Sequence, residues 1–222
     1  MTRNGYLGAL ATRLRRQPPP VASVETQGPP PETYRTTHVL SDFVAAVRAK
    51  PAPIVLDLGP ALGRNITFLG EEIACKVFIE DLLGKRPGGA GGDDDSWQPR
   101  LSQPDESVDG VLCWDVLDHL DDTARWALAA ELSRVLCPAG VLLLYQRVDP
   151  RALPGRLVYE IAGPDRVCLH RTDNAAQGIE QPLKHRDLEA MFEGLRAVKT
   201  VLLKSRTREV LLRKADPATA AA

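Results

Sequence analysis

No run of apolar residues in this sequence approaches the ~20 needed to cross a bilayer as a helix, and the opening Met1-Thr-Arg-Asn-Gly5 lacks the apolar core of a secretory signal. Charge of one sign is missing too. Lys and Arg total 28 against 29 Asp and Glu, a net charge of −1, which leaves no global pull toward nucleic acid or acidic lipid. Cysteine is scarce: four residues, at 75, 113, 137 and 168, stand too far apart for metal-ligand spacing and are too few for a disulfide framework. With 44% apolar residues in a chain of 222, one ordinary core can be buried. A soluble domain in a reducing, cytoplasmic setting is expected.

What is present is unevenly distributed. Residues 71–122 hold 14 acids and 4 bases, whereas 184–214 hold 9 bases and 4 acids. Residues 1–35 include Pro18-Pro-Pro20 and Pro29-Pro-Pro31. Proline runs favour extended backbone and withhold N–H donors, so a disordered arm is predicted there. Tyr6, Leu7, Leu10 and Leu14 would share one face of any short Arg-rich helix within it, the pattern of a transit peptide or surface anchor.

The remaining chain, 36–215, reads as one domain. Val39, Leu40, Phe43, Val44 and Val47 recur at helical spacing over 38–50, and Pro51 and Pro53 stop that helix. Residues 54–59 and 76–81 are rich in branched side chains and read as buried strands around a short helix over 65–72. The Gly/Asp-rich stretch 84–107 has no period and few apolar side chains, and is predicted to be a flexible loop. Strand 108–114 follows. Asp122 or Thr123 then caps a helix carrying Leu128, Leu132, Val135 and Leu136. Cys137-Pro-Ala-Gly140 ends that helix before an apolar strand at 141–145. Further on come an extended stretch in 158–169 with a turn at Gly163-Pro164, a helix over 186–195, strands at 197–204 and 209–213, and a frayed tail at 216–222. Strands alternating with helices imply an α/β fold with a mostly parallel sheet, and the final close pair implies an antiparallel hairpin at one edge.

Open parallel sheets bind ligands beyond the carboxyl ends of their strands, where the connection order reverses. Three such ends carry polar or glycine residues here: Asp57-Leu-Gly59, Glu80-Asp81 and Trp114-Asp115. Glycine at 59 and 63 lets the backbone turn sharply and approach a ligand closely. A carboxylate at the second strand end suits the two hydroxyls of a ribose. A dinucleotide loop would need G-x-G-x-x-G, but Gly59-Pro-Ala-Leu-Gly63-Arg64 has alanine and arginine at the later glycines. The P-loop pattern is absent.

Residues 54–63, IVLDLGPALG, resemble the first motif of class I S-adenosylmethionine-dependent methyltransferases. Residues 105–120, DESVDGVLCWDVLDHL, resemble the central strand and following turn of that family, and 132–144, LSRVLCPAGVLLL, its next helix, turn and strand. The likeness covers 54–82 and 105–147 and is nearest to the small-molecule branch. It implies a Rossmann-like methyltransferase fold: a mostly parallel seven-stranded sheet, helices on both faces and an antiparallel edge strand. The third strand is missing if 84–107 is a loop. It also implies S-adenosylmethionine as cofactor. Gly59 and Gly63 would pass under its methionine part, Asp57 would support the turn or the amino group, and Asp81, or Glu80 in the adjacent register, would hold the ribose. Cys113, Trp114 and Asp115 would border it. Ala61 replaces a usual glycine, and the usual acid for adenine has no clear counterpart; Asp93, Asp94 or Asp95 would substitute for it, and Trp97 would stack on adenine.

The resemblance implies methyl transfer to a small-molecule acceptor, without membrane or nucleic acid as partner. No residue is singled out as catalytic; Asp115, His119, His170 and His185 are candidates for proton transfer. The degenerate third-strand region motivates an alternative, a non-catalytic domain of the same fold serving as a binding or regulatory subunit. The basic stretch 184–214 motivates another, an RNA-binding protein or RNA methyltransferase.

Overall fold

A computed structural model describes residues 33–85, 98–149, 156–171 and 183–217. The expected arm up to residue 32, the Gly/Asp core of the loop, with Asp93, Asp94, Asp95 and Trp97, and the end of the tail lie outside the described residues.

Strand β1 (Thr33–Thr36) opens the described chain, followed by α1 (Leu40–Arg48), β2 (Ile54–Asp57) and α2 (Gly63–Thr67), which continues as a π-helical turn over Phe68–Glu72. Next come β3 (Lys76–Ile79), α3 (Leu82–Lys85), β4 (Val108–Trp114), a 3-10 turn at Val116–His119, α4 (Asp122–Val135) and β5 (Leu136–Arg147). The chain then runs through β6 (Leu157–Gly163), β7 (Arg166–Arg171), α5 (His185–Met191), β8 (Leu195–Leu202) and β9 (Thr207–Lys214).

Six strands form the main sheet in the order β3-β2-β4-β5-β9-β8. The first four run parallel, β9 runs antiparallel to β5, and β8 closes the edge antiparallel to β9. Side chains alternate across the sheet, so β4 sends Val111 and Cys113 to one face and Leu112 and Trp114 to the other. α3, α4 and α5 cover the first face with Leu83, Leu128, Leu132 and Leu188. α1 and α2 with its π-helical extension cover the second, through Phe43, Val47, Phe68 and Leu69. Gly110 is what allows α1 so close to β4: a Cβ there would lie 2.7 Å from Val47 and 2.9 Å from Phe43. The α/β architecture is the Rossmann-like one expected, mostly parallel with one antiparallel strand, β9, and with six strands among the described residues where the resemblance implied seven.

Several boundaries differ from the sequence expectation. Residues 33–35, assigned to the arm, are strand. β1 pairs with β7 and β7 with β6 in a separate three-stranded antiparallel sheet. Cys137–Gly140 is no free turn but a bulge within β5. There β5 advances from Leu136 to Val141 while β4 advances only from Val108 to Gly110, and Ala139 takes φ +60°. The expected loop 84–107 is ordered at both described ends. Gly84 and Lys85 finish α3, and 98–107 is pinned to α4: Arg134 donates to the carbonyls of Leu101 (3.1 Å) and Gln103 (2.9 Å), and Glu131 accepts the Leu101 N–H at 2.9 Å.

Candidate functional site

β2 neighbours β3 on one side and β4 on the other, so the connection order reverses at the carboxyl end of β2. Asp57 is the last residue of that strand and is fully buried. Its Oδ1 accepts the Gly59 N–H at 2.9 Å and the Trp114 indole N–H at 2.7 Å, while Oδ2 accepts the Asn65 amide at 3.3 Å. Burial pushes the Asp57 carboxyl up, and these three donors pull it back only in part. Gly59 sits against the indole: a Cβ there would lie 3.2 Å from Trp114 Cδ1 and Nε1. The space that its missing side chain leaves is therefore taken by this chain's own tryptophan. Gly63, by contrast, starts α2 with open space around it.

The two acids beyond β3 engage different elements. Partial burial works to raise Glu80, but Lys85 and Ser102 outweigh it and leave its carboxyl below the ordinary value. Asp81 accepts the Gly84 N–H at 3.0 Å and an Arg156 guanidinium N–H at 2.6 Å. Of the pair, Asp81 is the acid in contact with the segment leading into β6.

At the end of β4, Cys113 points into the core on the α4 face, where burial raises its thiol well above the ordinary range. Trp114 points to the opposite face and is 3% exposed. Its backbone is left-handed, φ +49°, which costs a bulky residue conformational energy. The indole stacks on Tyr159 of β6 with centroids 5.3 Å apart and planes within 2°, and both rings meet Tyr145 edge-on. Asn65 fastens β6 in place: its amide N–H donates to the Tyr159 carbonyl at 3.1 Å, and its Oδ1 accepts the Ile161 N–H at 2.7 Å.

Asp115 lies in a buried ionic cluster that the sequence only hinted at. Arg147, at the end of β5, approaches Asp115 at 3.5 Å and Asp118 at 3.6 Å through Nε, and its Nη2 lies 2.9 Å from His119 Nε2. His119 Nε2 is also 3.4 Å from Asp115. The Arg147 N–H donates to Asp118 Oδ2 at 2.7 Å. Burial, with Asp115 adding repulsion, pushes Asp118 up to about 7. Asp118 Oδ1 and His119 Nδ1 are buried without hydrogen-bond partners. His170 stands apart, 2.9 Å from Glu160. In the basic stretch, Lys199, Arg208 and Lys214 are engaged by Asp42, Gln146 and Glu106.

Sequence reasoning named Asp57, Gly59, Gly63, Glu80, Asp81, Cys113, Trp114 and Asp115. It missed Asn65, Asp118, Arg147, Arg156 and Tyr159. The Leu-Asp-His119 run beside Asp115 was the available sign of the cluster. No local pattern pointed to β6.

Asp57 ends β2, Glu80 and Asp81 follow β3, and Gly59 and Gly63 follow β2. Trp114 donates to Asp57, and Arg156 to Asp81. Residues 98–144 match the family model of the methyltransferase domain. No curated protein matches the chain. Among solved structures, the chain is 20% identical to the Burkholderia thailandensis 1,6-didemethyltoxoflavin-N1-methyltransferase, which was crystallised with that substrate and S-adenosylhomocysteine. That match covers 80% of this chain and 79% of the other, with a TM-score of 0.42. The Mesorhizobium loti S-adenosylmethionine-dependent methyltransferase is 17% identical over 77% and 96% of the two chains, TM-score 0.40. The glycopeptide N-methyltransferase MtfA is 15% identical over 80% and 90%, TM-score 0.42. Among the described residues no helix is long and apolar enough to cross a membrane, and no cluster of potential metal ligands occurs.

Proposed function

We propose that this domain transfers a methyl group from S-adenosylmethionine to a small-molecule acceptor. The observation that carries the reading is Asp57, buried at the switch point of the sheet and accepting the N–H of the glycine two residues on. Gly59, Gly63 and Asp57 would flank the methionine part and Asp81 the ribose. The bound cofactor supplies a methyl carbon already activated by its sulfonium, so the protein's work is alignment and exclusion of water. Trp114, Tyr145 and Tyr159 form an apolar wall suited to the second task. Asp118, whose carboxyl burial pushes up to about 7, lies with Asp115 and His119 in a buried cluster just past β4. The four cysteines, three of them buried, form no disulfide with one another, which fits a reducing compartment such as the cytoplasm.

Thermal unfolding with S-adenosylhomocysteine tests the reading. At about 100 times the dissociation constant, a ligand specific to the native state adds ~2.7 kcal/mol, a rise in Tm of roughly 5–10 °C for a chain of this size. An unchanged Tm at millimolar ligand would favour a second reading, a non-catalytic domain of the same fold that binds or regulates a partner. That alternative draws its support from the Trp114 indole on Asp57 and against Gly59.

A further inference from the structure

The two acids assigned to the cofactor, Asp57 and Asp81, are both held by donors of this chain, and the same short segment is behind both contacts. Arg156 immediately precedes β6 and donates to Asp81 at 2.6 Å. Three residues on, Tyr159 stacks on Trp114, whose indole N–H donates to Asp57 at 2.7 Å. Two residues further, the Ile161 N–H is held by Asn65, whose amide also reaches Asp57. β6 and the residue before it thus reach both acids, Asp81 directly and Asp57 through Trp114 and Asn65.

We propose that β6 is a lid and that Trp114 and Arg156 hold the cofactor's places on Asp57 and Asp81, so that S-adenosylmethionine binds by exchange. Opening releases the indole from Asp57 and the guanidinium from Asp81, and the cofactor's amino group and ribose hydroxyls replace them. This inference rests on the methyltransferase reading and adds a control on its cofactor site.

Three features favour exchange over a permanent plug. A plug for a buried hole needs only apolar bulk, yet here each closing contact is a hydrogen bond to an acid. Trp114 keeps its position with a left-handed backbone that a bulky residue adopts at a cost, a strain that a change of its backbone conformation on opening would release. The Arg156–Asp81 contact also stays within reach of water, with 13% and 31% of the two side chains exposed, so it can part without stripping a charge from a dry interior. A closed majority state lowers apparent affinity by the fraction of molecules that are open.

The test compares S-adenosylhomocysteine binding to the full chain by calorimetry for wild type, Trp114→Phe and Arg156→Ala. Trp114→Phe keeps the ring and removes the donor. Arg156→Ala leaves the aromatic core intact, so it answers the question even if the first variant folds poorly. Both variants should bind on the order of tenfold tighter than wild type, as expected if about a tenth of wild-type molecules are open. The Trp114 indole N–H resonance, assigned by its loss in Trp114→Phe, should move as wild type saturates. Binding by the variants alone would support the lid most strongly. Equal affinity in all three, or saturation with the indole resonance unmoved, would overturn the lid and leave the methyltransferase reading standing. No binding by any of the three at millimolar ligand would overturn both.

Discussion

Asp57, at the end of β2, and Asp118, just past the end of β4, are both buried at the rim of one sheet, and the chain neutralises them differently. Asp57 is surrounded by three neutral N–H donors, from Gly59, Asn65 and Trp114. Asp118 shares Arg147 with Asp115 and His119. Neutral donors satisfy an acid while leaving it able to change partners at modest cost, because no charge is stranded when one leaves. A buried guanidinium cannot withdraw without abandoning two carboxylates, so that half of the rim is locked. The half suited to ligand exchange is the half without a fully buried cation: Arg147 is 3% exposed, whereas the Arg156–Asp81 pair stays within reach of water.

Removing the cation attacks the contrast most directly. Arg147→Met should destabilise the fold by ~3–5 kcal/mol in urea unfolding, because two carboxylates stay buried without their counter-ion. A loss below about 1 kcal/mol would mean that the cluster is hydrated or already neutral. The proton dependence comes next. Burial and Asp115 raise the native pKa of Asp118 to about 7, above its unfolded value, so its contribution is full below pH ~4 and is lost as pH rises toward ~7. Asp118→Asn should remove that decline, seen as a flatter stability profile between these limits, and an unchanged slope would assign the proton elsewhere.

On the Asp57 side the expected effects are smaller. Trp114→Phe should cost ~1–3 kcal/mol, since a buried carboxylate loses one of three donors but keeps the aromatic packing. A cost as large as that of Arg147→Met would erase the distinction between the two halves. Asp81→Asn should change stability by less than about 1 kcal/mol, because its contact with Arg156 is partly exposed and screened by solvent.

Much of the scaffold could be read in the sequence because it is written in periods. Leu128, Leu132 and Val135 declare α4 by their spacing, and the branched run ending at Asp57 declares β2. β1 escaped notice because Thr33–Thr36 follows a proline run and has no apolar alternation; it exists only by pairing with β7. Residues 98–107 escaped for a similar reason. They are held by Arg134 and Glu131, 30 or more residues away, and Leu101 is a lone apolar anchor. The bulge at Cys137–Gly140 carried the residues of a turn, and only the register against β4 places it within a strand.

The Asp57–Gly59 turn was legible because two residues of separation suffice for a carboxylate to accept the glycine's N–H. The same holds for Asp81 beyond β3, where strand position alone implies the rim. Nothing local couples Trp114 to Tyr159, or Asp81 to Arg156, across 75 residues. The order of the main-sheet strands with α1 and α4, and the acids that end the strands, were therefore legible in the sequence alone, through short-range periodicity and turn chemistry. Which donors those acids meet was decided only by the tertiary structure, because hydrogen bonds and ring stacking depend on β6 folding back over the rim.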